Sequence, residues 1–422
     1  MDPLDPTLSP VDALRPDAPL QGKRVLLGVT GGIAAYKSPL LVRRLQDAGA
    51  DVDVIATPAA LEFVTPLTLA TLSGRPVRSE IFDLRSDGGI AHTSYTSEAD
   101  VAVVAPASAD FIGRLAGGLA DQLLLTALMA SHMPVVLAPS MNVEMWDSPL
   151  FQRNLALLRS LPRYQILEPG AGYLACRVEG KGRMPEPDAI VKQVIRALTP
   201  QDLAGRRVVV TAGPTRERFD PVRFFSNRST GLMGYALAEA AAERGADVTL
   251  IAGPTSLVAP EGPRLVRVES TADLLRAVLA ETEHAHAIVM AAAPADYRPR
   301  TYSESKLKKG ADGLTLELAP NPDILKTLAA ERPHLFRLGF AAETHDFEKN
   351  AADKAVRKAL DLIFVNDVGD RARGTGFEAP TNGGWLLDGA GVRVREIPVR
   401  PKRIVAHELL DELVRRLGAK VG

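Results

Sequence analysis

The apolar run RVLLGVT at residues 24–30 gives way to glycines, then to a helix-period stretch over residues 34–48, then to a second apolar run at residues 52–56. Short continuous apolar runs bounded by turn residues predict buried strands, so the segment reads as strand, Gly-rich turn, crossover helix, strand. The pattern returns in the second half. There RRVVVTAGP leads through a long polar loop to the helical GLMGYALAEAAAERG and the strand DVTLIAGP, and the phrases DAGADVDVIAT and ERGADVTLIAG nearly superimpose. Two related α/β domains in tandem are the simplest account. Further strands are expected at residues 101–105, 135–138 and 165–167, with helical stretches at 111–130 and 149–159. In the second half, strands are expected at 287–293, 335–340 and 362–365, with a lysine-bearing helix at 346–359. The fold class is α/β, with two tandem Rossmann-like doubly wound domains that bind ligands at the carboxyl ends of their strands. The expected layout is a disordered tail at 1–21, a first domain at 22–190, a linker at 191–204 and a second domain at 205–422.

Composition narrows the class. The 422 residues are 46% hydrophobic and 24% charged, which excludes wholesale disorder and fits two or three globular domains. Fifty basic residues balance 51 acidic ones and aromatics make up only 5%, so nucleic acid is not an expected partner. No apolar run approaches the roughly 20 residues that span a bilayer. The proline-rich and aspartate-rich opening lacks the cationic start and apolar run of a signal peptide. The single cysteine can form no internal disulfide, which fits the cytoplasm.

Several short stretches carry chemistry. Gly31 and Gly32, with Ile33 and Ala34, follow a strand and open a helix, so backbone amides there suit a phosphate; glycines needed only for a tight turn give the same string. The second strands end in Thr57-Pro58 and Gly253-Pro254, without the acid that would hold an NAD ribose. His92 follows a Gly-Gly pair, where imidazole serves as a base or as an ordinary loop residue. Asn142, in PSMN, ends an apolar strand and offers both a donor and an acceptor, or caps the next helix. Cys176 sits in the glycine-rich, cationic ACRVEGKGRM, as a reactive or an inert thiol. The loop TAGPTRERFDPVRFFSNRSTG is long enough to imply binding, and its Asn227, Ser229, Thr230 and Gly231 suit a phosphate. Asp296 ends a strand ahead of Lys306 in KLKK, while Lys354 and Lys358 share a helical face; all three lysines also fit a solvated surface. His284 and His286 lack a third metal ligand and read as surface residues.

In combination, these marks resemble the family of bifunctional phosphopantothenoylcysteine decarboxylase and phosphopantothenate–cysteine ligase enzymes of bacterial coenzyme A biosynthesis. The resemblance covers residues 22–418 and rests on the order of GVTGGIAAYK, FVTPLTL, APASAD, PSMN and ACRVEGKGRM, then TAGPTRE, DPVRFFSNRSTGLMG, AAPADYR, KLKK, NPDIL, GFAAET and LDLIFVND. It implies a flavodoxin-like first domain holding FMN through Gly31, Gly32, Ile33, Ala34, Thr57, Phe63, Pro106, Ser108 and Ala109. It further implies that the cysteinyl thiol is oxidised, that CO₂ leaves, and that a proton from Cys176 completes the return to 4′-phosphopantetheine. His92 would assist these steps and Asn142 would hold the substrate carboxylate.

For the second domain, the resemblance implies CTP-dependent activation of 4′-phosphopantothenate to an acyl-cytidylate, followed by attack of L-cysteine. Asn227 would steady the acyl intermediate, Arg223 the substrate and Lys306 the attacked phosphate. Ala291, Ala292, Asp296, Pro322, Asp323, Ile324, Leu325, Phe340, Lys354 and Lys358 would bind CTP, with Mg2+ held largely by phosphates. A homo-oligomer, a dodecamer built from trimers and dimers, is the implied assembly. Ser140, Arg177, Pro294 and the run His92-Thr93-Ser94 depart from the family pattern; Pro294 removes a backbone donor near the expected cytosine site. The alternatives are a flavin-binding regulatory protein of the same fold without turnover, and an NAD-linked dehydrogenase that the missing acids disfavour.

Overall fold

Runs of Val, Leu and Ile form the parallel strands expected of them, because a strand covered on both faces needs apolar residues throughout. The computed structural model describes residues 18–81, 98–173, 179–308, 314–369 and 374–421. The chain divides into units at 1–200 and 201–422.

In the first unit, β1 (Arg24–Val29), β2 (Asp51–Ala56), β3 (Val101–Ala107), β4 (Val135–Pro139) and β5 (Tyr164–Ile166) form a parallel sheet in the order β2-β1-β3-β4-β5. The direction of winding reverses between β1 and β3, which opens a crevice at their carboxyl ends. One face is covered by the helices Ser38–Asp47 and Pro187–Leu198, whose Leu41, Leu45, Ile190 and Val194 join the core. The other face is covered by Ala109–Ala116, Leu123–Met129 and Pro149–Arg159, through Phe111, Leu124 and Leu155. A hairpin of β6 (Gly170–Tyr173) and β7 (Glu179–Arg183) follows.

Three expectations need correction here. The helical stretch at 111–130 is two helices, broken where Gly117 and Gly118 follow the first; Gly118 has φ 71°, a left-handed conformation that favours glycine. The linker at 191–204 is largely occupied by the helix Pro187–Leu198, because Ile190 and Val194 are drawn into the first core. The tail at 1–21 is too long: Leu20 is buried and its N–H donates to the Ala48 carbonyl, while residues 1–17 lie outside those described.

In the second unit the strands, in chain order, are β8 (Arg207–Ala212), β9 (Arg216–Arg218), β10 (Phe224–Ser226), β11 (Asp247–Ala252), β12 (Arg264–Arg267), β13 (Ala287–Met290), β14 (Tyr297–Pro299), β15 (Leu318–Pro320), β16 (Phe336–Glu343), β17 (Leu362–Asp367), β18 (Thr381–Asp388) and β19 (Arg393–Pro401). Eight of them form a sheet in the order β12-β11-β8-β13-β16-β17-β18-β19. It is parallel as far as β17 and antiparallel thereafter, an arm the sequence patterns do not announce. The switch point lies between β8 and β13. Helices Leu232–Glu243 and Lys402–Val421 cover one face, while Thr271–Glu281, Ile324–Glu331 and Phe347–Arg357 cover the other. Among the described residues no helix is long and apolar enough to cross a membrane.

Candidate active sites at two sheet switch points

The first crevice is assembled by hydrogen bonds that tie the end of β1 to the end of β3. Thr30 Oγ1 donates to the Pro106 carbonyl at 2.8 Å and accepts from Ser108 N–H at 2.9 Å, and Ser38 Oγ donates to the Ala105 carbonyl. Ser108 caps the helix Ala109–Ala116 by accepting from Phe111 N–H. Thr57 receives β2 in the same way, its N–H donating to Val29 and its Oγ1 accepting from Ala60 N–H. Gly31 has no room for a side chain, since a Cβ there would stand 2.6 Å from the Ala59 methyl; at Gly32 a Cβ would meet nothing within 4 Å. Backbone amides at the opening 3-10 turn Ile33–Lys37, with no acid in that turn, and the Ser108 hydroxyl give the donor set a flavin phosphate requires. Ile33 and Phe63, 61% and 48% exposed, supply apolar surface at the same edge. The residues present therefore fit FMN. Thr30→Val is expected to lower the stability of the first domain by about 2 kcal/mol, since it leaves the Ser108 amide without its partner; flavin retention and thermal unfolding measure the loss.

Asn142 caps the helix Val143–Asp147, its Oδ1 accepting from Glu144 N–H at 2.7 Å. The neighbouring Met141 N–H donates to the Gly182 carbonyl, which holds β7 against this segment. His92 and Cys176 lie outside the described residues.

The second crevice is a cavity of about 430 Å³. Gly231, left-handed at φ 85°, precedes the helix Leu232–Glu243, whose first turn carries neither an acid nor a side-chain cap. Gly234 packs that helix against β8, for a Cβ there would lie 2.7 Å from the Thr211 carbonyl. Beyond β13 the chain leaves the ladder early, shortening the strand expected at 287–293, because Ala292 N–H donates to Thr211 Oγ1 and Ala293 N–H to the Gly213 carbonyl. Ala291, Ala292 and Asp296 thereby reach the cavity, joined by Pro322, Asp323, Ile324, Leu325, Phe340, Lys354, Lys358 and Asn227. Asn227 Nδ2 donates to the Ala293 and Pro294 carbonyls at 3.2 and 3.0 Å. Lys354 Nζ donates to the Phe340 carbonyl, and Lys358 pairs with Asp323 at 3.4 Å. Burial, with Lys358 beside it, pushes the Lys354 ammonium pKa down, while Glu343, Asp296 and Asp323 oppose the shift.

Arg223 and Lys306 do not line this cavity. Arg223 donates through Nε and a terminal nitrogen to Asp220 Oδ2, and also to the Leu307 carbonyl, while Leu307 N–H donates to the same carboxylate. Burial alone would raise the Asp220 carboxyl, but the Arg223 guanidinium and the amides of Val222, Arg223 and Leu307 hold it well below the usual carboxylate range. The knot ties the segment bearing Lys306 to the loop bearing Asn227. Asp220→Asn is expected to reduce the ligation that the resemblance implies about tenfold while binding of the implied CTP persists, because it loosens placement rather than removing a contact; turnover beside equilibrium CTP binding checks this.

Sequence reasoning missed Thr271, Asn382 and Lys402 in the cavity lining, isolated polar residues for which no motif speaks. Asn366 and Asn321 stood within LDLIFVND and NPDIL without being singled out. His286 Nδ1 accepts from Arg207 N–H, and among the described residues no group of three or more His, Cys, Asp or Glu is placed to hold a metal.

A family model described as Flavoprotein matches residues 14–199, and one described as DNA/pantothenate metabolism flavoprotein C-terminal domain matches residues 203–417. The chain is 46% identical over 398 residues to the Coenzyme A biosynthesis bifunctional protein CoaBC of Bacillus subtilis (strain 168), covering 93% of this chain and 97% of that one. To the protein of the same name from Escherichia coli (strain K12) it is 42% identical over 406 residues, covering 95% and 99%. Among solved structures, the C-terminal domain of a Coenzyme A biosynthesis bifunctional protein CoaBC is 36% identical and covers 52% of this chain and 99% of its own, with a TM-score of 0.45.

Proposed function

The chain belongs to the family of bifunctional coenzyme A biosynthesis proteins, and on that premise we propose how its two domains divide a ligation and a decarboxylation. It is an enzyme of both activities. The second domain joins 4′-phosphopantothenate to L-cysteine at the expense of CTP, and the first decarboxylates the 4′-phosphopantothenoylcysteine so formed to 4′-phosphopantetheine.

The observation that carries the ligase reading is the cavity at the second switch point, where a helix N-terminus, two lysines and an asparagine converge. CTP phosphates lie against the uncapped amides of Leu232–Glu243, with Lys354 and Lys358 offsetting their charge. The acid's carboxylate attacks the α-phosphorus, pyrophosphate leaves with the β and γ phosphates, and an acyl-cytidylate results. The amine of cysteine then attacks the acyl carbon, and CMP departs as the amide forms. Asn227, held by two carbonyls, steadies the acyl group, and Lys306 enters from the segment anchored by Asp220. Asp323 is committed to Lys358 and to Lys326 N–H, so Asp296 is the carboxylate suited to a phosphate-bound Mg2+.

In the first domain, FMN supplies the reversible electron acceptor that an α-amido acid with a distal thiol lacks. The amides of Gly31–Ala34 and the Ser108 hydroxyl would hold its phosphate, with Thr57, Pro106 and Ala109 shaping the crevice and Ile33 and Phe63 offering apolar cover. Asn142, which caps the next helix through Oδ1, would hold the substrate carboxylate. His92 moves protons during oxidation and CO₂ loss, and Cys176 delivers the final proton. Exposed Tyr36, Leu40 and Leu67 offer the first domain apolar contact surface for its share of a symmetric homo-oligomer, a dodecamer built from trimers through this domain and dimers through the second. The lone cysteine supports a cytoplasmic setting.

The test supplies purified protein with 4′-phosphopantothenate, L-cysteine, CTP and Mg2+ and follows pyrophosphate, CO₂ and product mass, beside Cys176→Ser. Pyrophosphate and CO₂ from the wild type, with completion blocked in Cys176→Ser, support the reading. Release of neither by folded, flavin-loaded protein sinks it in favour of a regulatory flavoprotein.

A further inference from the structure

One wall of the second-domain cavity is polar, deeply buried and without a role in the steps above. Asn366 is the penultimate residue of β17, Asn382 the second residue of β18 and Lys402 the first residue of the last helix; all three line the cavity, at 7%, 4% and 6% exposure. The antiparallel turn-back places them together. The end of β17 lies beside the start of β18, and Asn382 stands opposite Arg400, two residues ahead of Lys402.

Their hydrogen bonding is incomplete. The Asn366 carboxamide has no partner among the described residues. Asn382 Oδ1 accepts only from its neighbour Gly383 N–H, and its Nδ2 reaches only the Met233 thioether, at 3.7 Å. Buried carboxamides are ordinarily satisfied, so one without a partner among the described residues beside another whose nitrogen meets only a weak sulfur acceptor, both facing a cavity, indicate a ligand with oxygen acceptors. Lys402 Nζ donates to the carbonyls of Gly376, Phe377 and Ala379, and no carboxylate lies within ion-pair distance of it among the described residues. Burial pushes its ammonium pKa down to about 8, which leaves it cationic at neutral pH. The Phe377 carbonyl also accepts from Thr230 Oγ1 at 2.6 Å, one residue before Gly231. A buried charge without a counter-ion among the described residues, two incompletely bonded carboxamides and a helix start without a side-chain cap thus line one cavity, and a buried cation left alone is costly.

We propose that Asn366, Asn382 and Lys402 form a further phosphoryl-binding subsite of the ligase cavity, the asparagines donating to phosphoryl oxygens and Lys402 supplying the counter-charge from beneath the Gly376–Ala379 loop. The inference rests on the ligase reading. Two of its ligands carry phosphoryl groups, the triphosphate of CTP and the phosphate ester of 4′-phosphopantothenate, and the chemistry is common to both.

Calorimetric titration of the full-length protein with CTP and Mg2+, with 4′-phosphopantothenate and with unphosphorylated pantothenate tests the subsite without requiring turnover. Asn366→Asp changes shape little but sets a carboxylate against the phosphoryl group, so it is expected to weaken one phosphorylated ligand about tenfold or more. The ligand affected identifies the source, and pantothenate is unaffected. Lys402→Met does the same, and Lys402→Arg restores most of the affinity. Should Lys402→Met fail to fold, Asn366→Asp and Asn382→Asp carry the test. Wild-type affinity for both phosphorylated ligands in folded Asn366→Asp and Asn382→Asp, an equal loss for pantothenate, or no binding of either phosphorylated ligand by the wild type overturns the subsite. Wild-type binding without pyrophosphate release would instead refute the ligase reading and leave the subsite standing.

Discussion

Asn227→Asp is expected to lower ligation by about a hundredfold or more, the scale of loss that misplacing a group beside the reacting centre produces, while decarboxylation of supplied 4′-phosphopantothenoylcysteine continues at its normal rate. The amide nitrogen of Asn227 donates to the carbonyls of Ala293 and Pro294. Aspartate offers acceptors alone, so three oxygens would repel where two bonds now form, and a negative charge would meet an anionic substrate. The carbonyl of Pro294, not its missing N–H, is the group in use, which explains how the loop accommodates a proline at this position. Pyrophosphate release and CO₂ release, assayed separately, check the prediction. Equal losses in both assays would mean that the substitution acts through the fold of the whole chain, and unchanged ligation would remove Asn227 from the chemistry.

The second large effect is structural. Gly253 follows β11 so close to the neighbouring loop that a Cβ would stand 1.8 Å from the Pro214 carbonyl. Backbone cannot yield as a flexible side chain does, so Gly253→Ala must displace residues 213–215, at a cost of about 3 kcal/mol. The displacement spreads, because Thr215 Oγ1 accepts from Ala295 N–H and bonds to Thr271 Oγ1 at 3.0 Å. Denaturant unfolding of the full chain should show an early transition in the second domain, with flavin release from the first at its usual midpoint. A single unshifted transition would contradict the prediction.

Strands β1, β2, β8 and β11 stand where the apolar runs predict them, because burial on both faces keeps most of their positions apolar and the few polar ones do not break the run. The division of one helical stretch at Gly117 and Gly118 was written in the sequence as two adjacent glycines and was missed because the flanking leucines keep their period. Arg223 illustrates a deeper limit. A guanidinium on a polar loop invites an anionic ligand, and only three-dimensional placement reveals the buried Asp220 beneath it. Asn382 and Lys402 were illegible for a related reason: a polar residue at a strand or helix start reads as solvent-facing unless the cavity behind it is known. The cavity residues given by family motifs gather as a set, whereas His92 and Cys176 lie beyond the described residues and keep only the roles proposed from their motifs.

The last helix, Lys402–Val421, begins after every short motif quoted for the family, yet Val405, Ala406, Leu409, Leu410, Leu413 and Leu417 pack in the same core as the helix Leu232–Glu243, whose start lines the second-domain cavity. A nonsense mutation just after Pro401 would therefore spare every one of those short motifs and still strip that helix of its cover. In genetic terms the allele would resemble an early stop rather than a harmless trim, and a catalogue of truncations that scored only the surviving motifs would misjudge it as functional.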